Sequence, residues 1–171
     1  MNTTYVALLR GVNVAGHGTI RMDELRRVFL ALGHTEVATY IQSGNVIFTS
    51  DVPVDADSLQ SDVGAELGTD VTVMVRSAAE LEGVVRRNPF AGADPSKLHV
   101  GFLARQPPAV SLDLQRFRPE EAIIDGREVY FHLPNGIGRA KLPPYLDRQL
   151  KVPVTVRNWN TVTKLAELAG A

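Results

Sequence analysis

The sequence predicts an α+β protein made of two similar halves, because short segments recur at a nearly constant spacing. Gly44-Asn-Val-Ile-Phe48 resembles Gly126-Arg-Glu-Val-Tyr-Phe131, with the two glycines 82 positions apart and the two phenylalanines 83. Val71-Thr-Val73 recurs 83 positions later as Val154-Thr-Val156. The second observation is the predicted order of elements, which in each half is β-α-β-β-α-β followed by an extra helix.

This order is that of the ferredoxin-like, or split βαβ, unit. We therefore predict a tandem duplication of a ferredoxin-like unit, with a first half at 1–90 and a second half at 91–171, packed as one compact unit. The alternative is a single mixed α/β sheet whose element order resembles a duplication by chance.

In the first half, apolar runs rich in β-branched residues predict strands, and apolar residues at helical spacing predict helices. Gly33 and Gly68 stand where the first two helices would end. Ser77 and Glu80 have the spacing of a capping box at the start of a third helix. The predicted strands cover 5–9, 37–41, 46–49 and 71–75, and the predicted helices cover 22–32, 59–67 and 77–85.

The second half repeats this order with shorter connections. Asp125-Gly126 favours a tight hairpin, and Pro143 or Pro144 suits the first turn of a helix. Asn160 could cap the last helix, with Trp159 closing the core under it. The predicted strands cover 98–103, 122–124, 128–133 and 154–156, and the predicted helices cover 112–117, 142–150 and 161–168.

Composition narrows the classes of function. The chain has 171 residues, of which 44% are hydrophobic, enough for a core without covalent links. It has no cysteine, which excludes disulfides, thiolate zinc sites and a cysteine nucleophile. The formal charge of −1 argues against a general affinity for nucleic acid. The sequence has no apolar run of ~20 residues and no signal-peptide pattern, so we expect a cytoplasmic protein without membrane association. No cofactor is expected either.

The first candidate site depends on the predicted topology, which brings two loops to the same end of the first sheet. Arg10 and Asn13 would then lie near Gln42, Ser43 and Asn45. A guanidinium, amides, a hydroxyl and free N–H groups near glycines could hold an anion or phosphate. The alternative is that the amides tie the two loops together and the glycines permit tight turns. The loop lacks the Lys and Ser/Thr that a P-loop requires.

The second candidate site is Arg139 and Lys141, which follow two glycines and precede a predicted helix. Cations are disfavoured at a helix N-terminus unless a negative group joins them. This arrangement suggests an anion partner. The alternative is that the two side chains pair with acidic residues elsewhere in the fold or extend into water.

The third candidate is a stacking face formed by Arg157 and Trp159, which could accept a planar ligand or base; the alternative is a structural role under the last helix. The histidines at 17, 34, 99 and 132 lack the spacing of metal ligands, so no metal site is predicted. Ser43 lacks the surroundings of a nucleophilic serine.

Five segments together resemble one protein family. They are VALLRGVNVAG at 6–16, TYIQSGNV at 39–46, NPF at 88–90, GRAKL at 138–142 and RNWNT at 157–161. The chain is similar to a bacterial domain-of-unknown-function family whose members carry LLRGINVGG-like, YIQSGNV-like and RNWNT-like motifs. It departs from them with Ala15 in place of Gly and His17 in place of Lys. The resemblance implies a compact α+β protein and assigns no catalytic or binding residue.

Three functions follow as hypotheses. The first is a protein that binds a small ligand or a phosphate-type anion, which could also be an enzyme without a covalent intermediate. The second is a nucleic-acid-binding module, against which the aromatic content of 6% argues. The third is a module for protein interaction or self-assembly that uses an open sheet face or edge.

Overall fold

The computed structural model describes residues 2–10, 20–40 and 44–170. Contacts between Cα atoms divide the chain into two units, Met1–Gly83 with Leu165–Ala171, and Val84–Lys164. Each unit contains one four-stranded antiparallel sheet, and the described part of the chain has five α-helices. The protein is therefore a mixed α+β fold with two similar sheet-containing halves.

In the first unit the strand order is β2-β3-β1-β4. Its elements are β1 (Thr3–Arg10), α1 (Met22–Ala31), β2 (Thr35–Tyr40), β3 (Asn45–Ser50), α2 (Ala56–Leu67) and β4 (Thr72–Ser77). Alternate strand residues such as Ala7, Phe48 and Val75 pack with Leu25 and Phe29 of α1 in one core. Helix α2 ends at Gly68, whose φ of 72° is the left-handed conformation that glycine adopts without strain.

Helix α3 (Ala78–Arg86) follows β4 directly. The predicted capping box is confirmed, since the Ser77 N–H donates to Glu80 Oε1 at 2.8 Å and the Glu80 N–H donates to Ser77 Oγ at 3.1 Å. N–H groups at the start of a helix have no partner within the helix, and a capping box supplies hydrogen-bond acceptors for two of them.

In the second half the strand order is β6-β7-β5-β8, which matches the first sheet position for position. The elements are β5 (Leu98–Leu103), β6 (Glu121–Asp125), β7 (Glu128–His132), α4 (Leu142–Leu150), β8 (Val154–Asn158) and α5 (Trp159–Gly170). One face of this sheet, including Val129 and Phe131, packs with Leu142, Leu146 and Leu150 of α4.

The predicted helix at 112–117 is wrong. The structure describes the whole connection between β5 and β6, and it contains a single 3₁₀ turn at Gln115–Phe117 instead. Six residues are fewer than two helical turns, too few to offset the cost of helix nucleation. Pro119 also disfavours helical backbone at Arg118, so the segment cannot extend.

Helix α5 begins two residues earlier than predicted. Asn158, rather than Asn160, caps it, because Asn158 Oδ1 accepts a hydrogen bond from the Thr161 N–H at 2.8 Å. Trp159 is therefore the first residue of the helix. The junction between β8 and α5 therefore resembles that between β4 and α3, because in both the last residue of the strand, Asn158 or Ser77, caps the helix that follows.

We expect Ser77→Ala to lower the free energy of unfolding by about 1 kcal/mol, because it removes the hydroxyl that accepts from the Glu80 N–H. Thermal unfolding followed by circular dichroism measures the change. Ser111→Ala is the control, since Ser111 is an exposed serine outside the helices. An equal effect of the two substitutions would contradict the capping role.

Candidate functional site

The end of the first sheet brings together the strand ends that carry the first candidate site. The Leu9 N–H donates to the Gly44 carbonyl oxygen at 2.9 Å. Leu8 pairs with Asn45 across β1 and β3, and Arg10 pairs with Thr72 across β1 and β4. The end of β1 and the start of β3 therefore meet, as the topology predicts.

Two of the five predicted residues can be placed there. Asn45 is fully buried and its Nδ2 donates to the Tyr40 carbonyl oxygen at 3.1 Å, so this amide ties the ends of β2 and β3 together. Arg10 is exposed at the end of β1. Asn13, Gln42 and Ser43 lie outside the described residues.

The second candidate site lies at a pocket of about 420 Å³ that we call the cationic pocket. It is lined by Arg116, Phe117, Ala140, Lys141, Pro144 and Arg148. Lys141 is one of the two predicted cations; Arg139 is exposed nearby in the chain but does not line the pocket. Three positively charged side chains thus share one concave surface.

Aromatic rings hold one of these cations in place. The Arg116 guanidinium carbon lies 4.8 Å from the centre of the Phe117 ring and 4.9 Å from that of Tyr145. The two rings are themselves 4.6 Å apart, and the Tyr145 hydroxyl accepts from the Asp113 N–H at 2.9 Å. Attraction between a cation and a ring face fixes the guanidinium without neutralising its charge.

The N-terminus of α4 already has an acidic partner, which is Glu120. Its carboxylate accepts hydrogen bonds from the Lys141 N–H at 3.1 Å and from the Leu142 N–H at 2.9 Å. The negative group that the sequence calls for is thus Glu120, bound to the backbone. A carboxylate here also interacts favourably with the helix dipole.

The charges of the pocket are incompletely balanced. Arg116 Nε lies 4.0 Å from Asp113 Oδ2, at the limit of an ion pair, and both side chains are mostly exposed. Within 44–170, neither Lys141 nor Arg148 has an ion-pair partner. A negatively charged ligand would meet three cations there.

The two residues of the third candidate site, Arg157 and Trp159, differ in how far they are buried. Arg157 is only 7% exposed, and its Nη1 donates to Thr155 Oγ1 at 2.6 Å and to the Val156 carbonyl oxygen at 3.2 Å. Burial lowers the pKa of this guanidinium to about 10. Trp159 is the partly exposed member of the pair.

No group of three or more His, Asp or Glu residues in the described part of the chain is placed to hold a metal ion. None of the described helices is long and apolar enough to cross a membrane.

Comparison with family models decides the classification of the chain. The model of the family described as Protein of unknown function (DUF1697) matches residues 1–130, which is most of the chain. The chain belongs to the DUF1697 family. The match includes Arg116 and Phe117 and ends before Lys141 and Arg148, so the grouping of these four residues rests on the geometry of the DUF1697 protein described above.

A solved structure supports the fold. The chain is similar to the conserved bacterial protein SP0830 from Streptococcus pneumoniae, with a TM-score of 0.69 and 22% identity over 99% of each chain. At this identity the likeness concerns the fold alone. No curated protein matches the DUF1697 chain.

Sequence reasoning missed Arg116, Phe117 and Arg148. Lys141, Pro144 and Arg148 follow the i, i+3, i+7 spacing of one helix face, so this spacing could have added Arg148. Arg116 and Phe117 come from the segment between β5 and β6, and no local pattern connects them with α4.

Proposed function

We propose that the protein binds a small phosphate-type anion in the cationic pocket. The observation that carries the proposal is the convergence of Arg116, Lys141 and Arg148 on one pocket of about 420 Å³. Guanidinium groups bind phosphate oxygens through paired N–H donors, and an ammonium group adds a compact charge. This volume lies within the range of small-molecule sites.

The arrangement favours the bound state for two reasons. Like charges that share a pocket repel one another, and a dianion relieves this repulsion while it gains three attractive interactions. The stacking of Arg116 on two rings restricts its side chain before binding, which lowers the entropy lost when the ligand arrives.

The proposal extends to binding and not to a covalent reaction. The lining consists of Arg, Lys, Phe, Pro and Ala and holds no Ser, Cys or His; its one amine, that of Lys141, is proposed as a charge that binds the anion. The proposed chemistry is electrostatic, with the cations stabilising negative charge.

Pyrophosphate is the probe for this site. We expect it to raise the free energy of unfolding by about 2.7 kcal/mol at 100 times its dissociation constant, and calorimetry to give one saturable site. We expect Lys141→Ala and Arg148→Ala each to weaken binding about ten- to a hundredfold, because each removes one charge-assisted hydrogen bond.

The matched control is Arg27→Ala, which removes one exposed arginine from α1 in the other unit. It should leave the affinity for pyrophosphate within about twofold of the original, since Arg27 does not line the cationic pocket. Equal losses in all three variants would show a nonspecific charge effect and refute the site. Binding of single-stranded RNA without binding of pyrophosphate would point to the nucleic-acid alternative.

The first candidate cluster is proposed as a separate anion subsite. Arg10, Asn13, Gln42 and Ser43 would form it, with the buried Asn45 holding the ends of β2 and β3 together, and the support is the meeting of β1 and β3 through the Leu9–Gly44 hydrogen bond. Arg10→Ala tests the subsite in the same titration. A second, weaker pyrophosphate site that disappears in this variant would support it, and a single site unaffected by the substitution would count against it.

We also infer that the two halves arose as a tandem ferredoxin-like duplication. Both sheets have the same strand order. Arg76 and Arg157 are buried arginines at corresponding positions of β4 and β8, paired with Val6 and Val100 respectively. The second half departs from the pattern because a 3₁₀ turn replaces its first helix.

A further inference from the structure

We propose that the first unit contains a binding site for a small organic ammonium ion, with the Glu36 carboxylate as its counter-ion. The site is a pocket of about 300 Å³ beside β2 and β3, which we call the Glu36 pocket. Its polar groups are those of Glu36 and of three threonines, Thr4, Thr39 and Thr49, and its apolar wall includes Ala38, Ile47 and Leu168. This site is independent of the proposed anion pocket, which has the opposite charge and lies in the other unit.

The backbone at Glu36 is unusual. Its φ of 51° lies in the left-handed region, and the pairing of β2 with β3 shifts register between Thr35 and Ala38. A non-glycine residue in this conformation is strained. Such irregularities in a strand redirect a side chain, and here the redirected group is the carboxylate of the pocket.

A chain of hydroxyl groups orients this carboxylate. Thr49 Oγ1 donates to Glu36 Oε2 at 3.3 Å, and Thr4 Oγ1 lies 3.4 Å from Thr49 Oγ1. Thr49 is buried at 6% exposure, so its hydroxyl is a fixed part of the sheet. Within 2–10, 20–40 and 44–170, Glu36 Oε1 accepts no hydrogen bond and Glu36 has no ion pair.

The composition of the pocket selects the class of ligand. One carboxylate and three hydroxyls offer about five side-chain oxygens, fewer than the six to eight that Ca²⁺ takes in typical sites. A primary ammonium group has three donors, which suit a carboxylate oxygen and neighbouring hydroxyls. The wall of Ala38, Ile47 and Leu168 would pack against a short aliphatic chain. A primary amine with an apolar body meets both requirements.

The probe for this site is n-pentylamine at pH 7, where it is an ammonium ion, with 1-pentanol and pentanoate as matched compounds. Titration followed by amide NMR should show saturable shifts at Thr49 and Ala38 for the amine, at constant ionic strength set with NaCl. We expect 1-pentanol to bind at least tenfold more weakly and pentanoate not to bind. Equal affinity for the amine and the alcohol, or no saturable binding of the amine at millimolar concentrations, would overturn the proposal.

Two variants separate binding from folding. Glu36→Gly removes the carboxylate and suits a positive φ, so it should raise the melting temperature while it weakens pentylamine binding at least tenfold. Glu36→Gln keeps the size of the side chain and removes the charge, and it should lose the same affinity without the gain in stability. Unchanged affinity in either variant would show that Glu36 is not the counter-ion.

Discussion

Phe48→Ala is expected to lower the free energy of unfolding by about 3–5 kcal/mol, the range for deletion of a fully buried aromatic ring. Phe48 is 0% exposed in the core of the first unit. Its ring centre lies 5.1 Å from that of Phe29, 5.7 Å from that of Tyr5 and 4.6 Å from that of His34. The substitution therefore leaves a cavity between the first sheet and α1. Urea unfolding followed by circular dichroism measures the loss.

Leu30→Ala is the control for this substitution, because Leu30 is an apolar residue of α1 that is 40% exposed. Its effect should stay within about 0.5 kcal/mol. Burial lowers the pKa of His34, so the same cavity should move the His34 pKa back toward its ordinary value, as NMR titration can record. A loss below about 1 kcal/mol with an unchanged His34 pKa would contradict the described core.

The sequence predicted the strands better than the connections between them. The limits of β5 are those predicted, and α4 fills 142–150, the segment in which a helix was expected, because apolar residues mark these segments and a proline at 143 or 144 suits the first helical turn. The predicted helix at 112–117 is wrong because its apolar residues lie in an extended segment followed by one 3₁₀ turn. The spacing of apolar residues over so short a segment does not distinguish this arrangement from a helix. The cap of α5 was misplaced because two asparagines flank Trp159, and either could have capped it.

The candidate site likewise contains one residue that the sequence indicated and others that only the fold brings to it. Lys141 was predictable, since a cation before a helix calls for a negative partner. That the partner is Glu120, from just before β6, follows only from the fold. The Arg116 contribution depends on the ring of its neighbour Phe117 and on that of Tyr145, which belongs to the distant helix α4. Nothing in the local sequence around Glu36 indicates its positive φ, because strand pairing imposes it.

The second large effect is expected at Tyr130, whose hydroxyl donates to the Val84 carbonyl oxygen at 2.7 Å. Val84 lies in the last turn of α3, where carbonyl oxygens have no partner within the helix. Tyr130→Phe keeps the ring and removes this donor, so we expect the free energy of unfolding to fall by about 1–3 kcal/mol. Tyr5→Phe is the matched control, because among the described residues the Tyr5 hydroxyl makes no hydrogen bond.

The effect of Tyr130→Phe should depend on pH in a defined direction. Burial is the main cause that raises the pKa of Tyr130 to about 12, whereas an unfolded tyrosine titrates near 10. Between about pH 10 and 12 the unfolded state ionises first, so the stability present below pH 10 is lost as the pH rises through this window.

Arg157, whose pKa burial lowers to about 10, contributes the opposite slope, but it does so equally in both proteins. The difference in unfolding free energy between the original protein and Tyr130→Phe should therefore narrow from pH 9 to pH 12. A constant difference across this range would mean that the Tyr130 hydroxyl is exposed to water in the folded protein, and that α3 ends without the Val84 hydrogen bond.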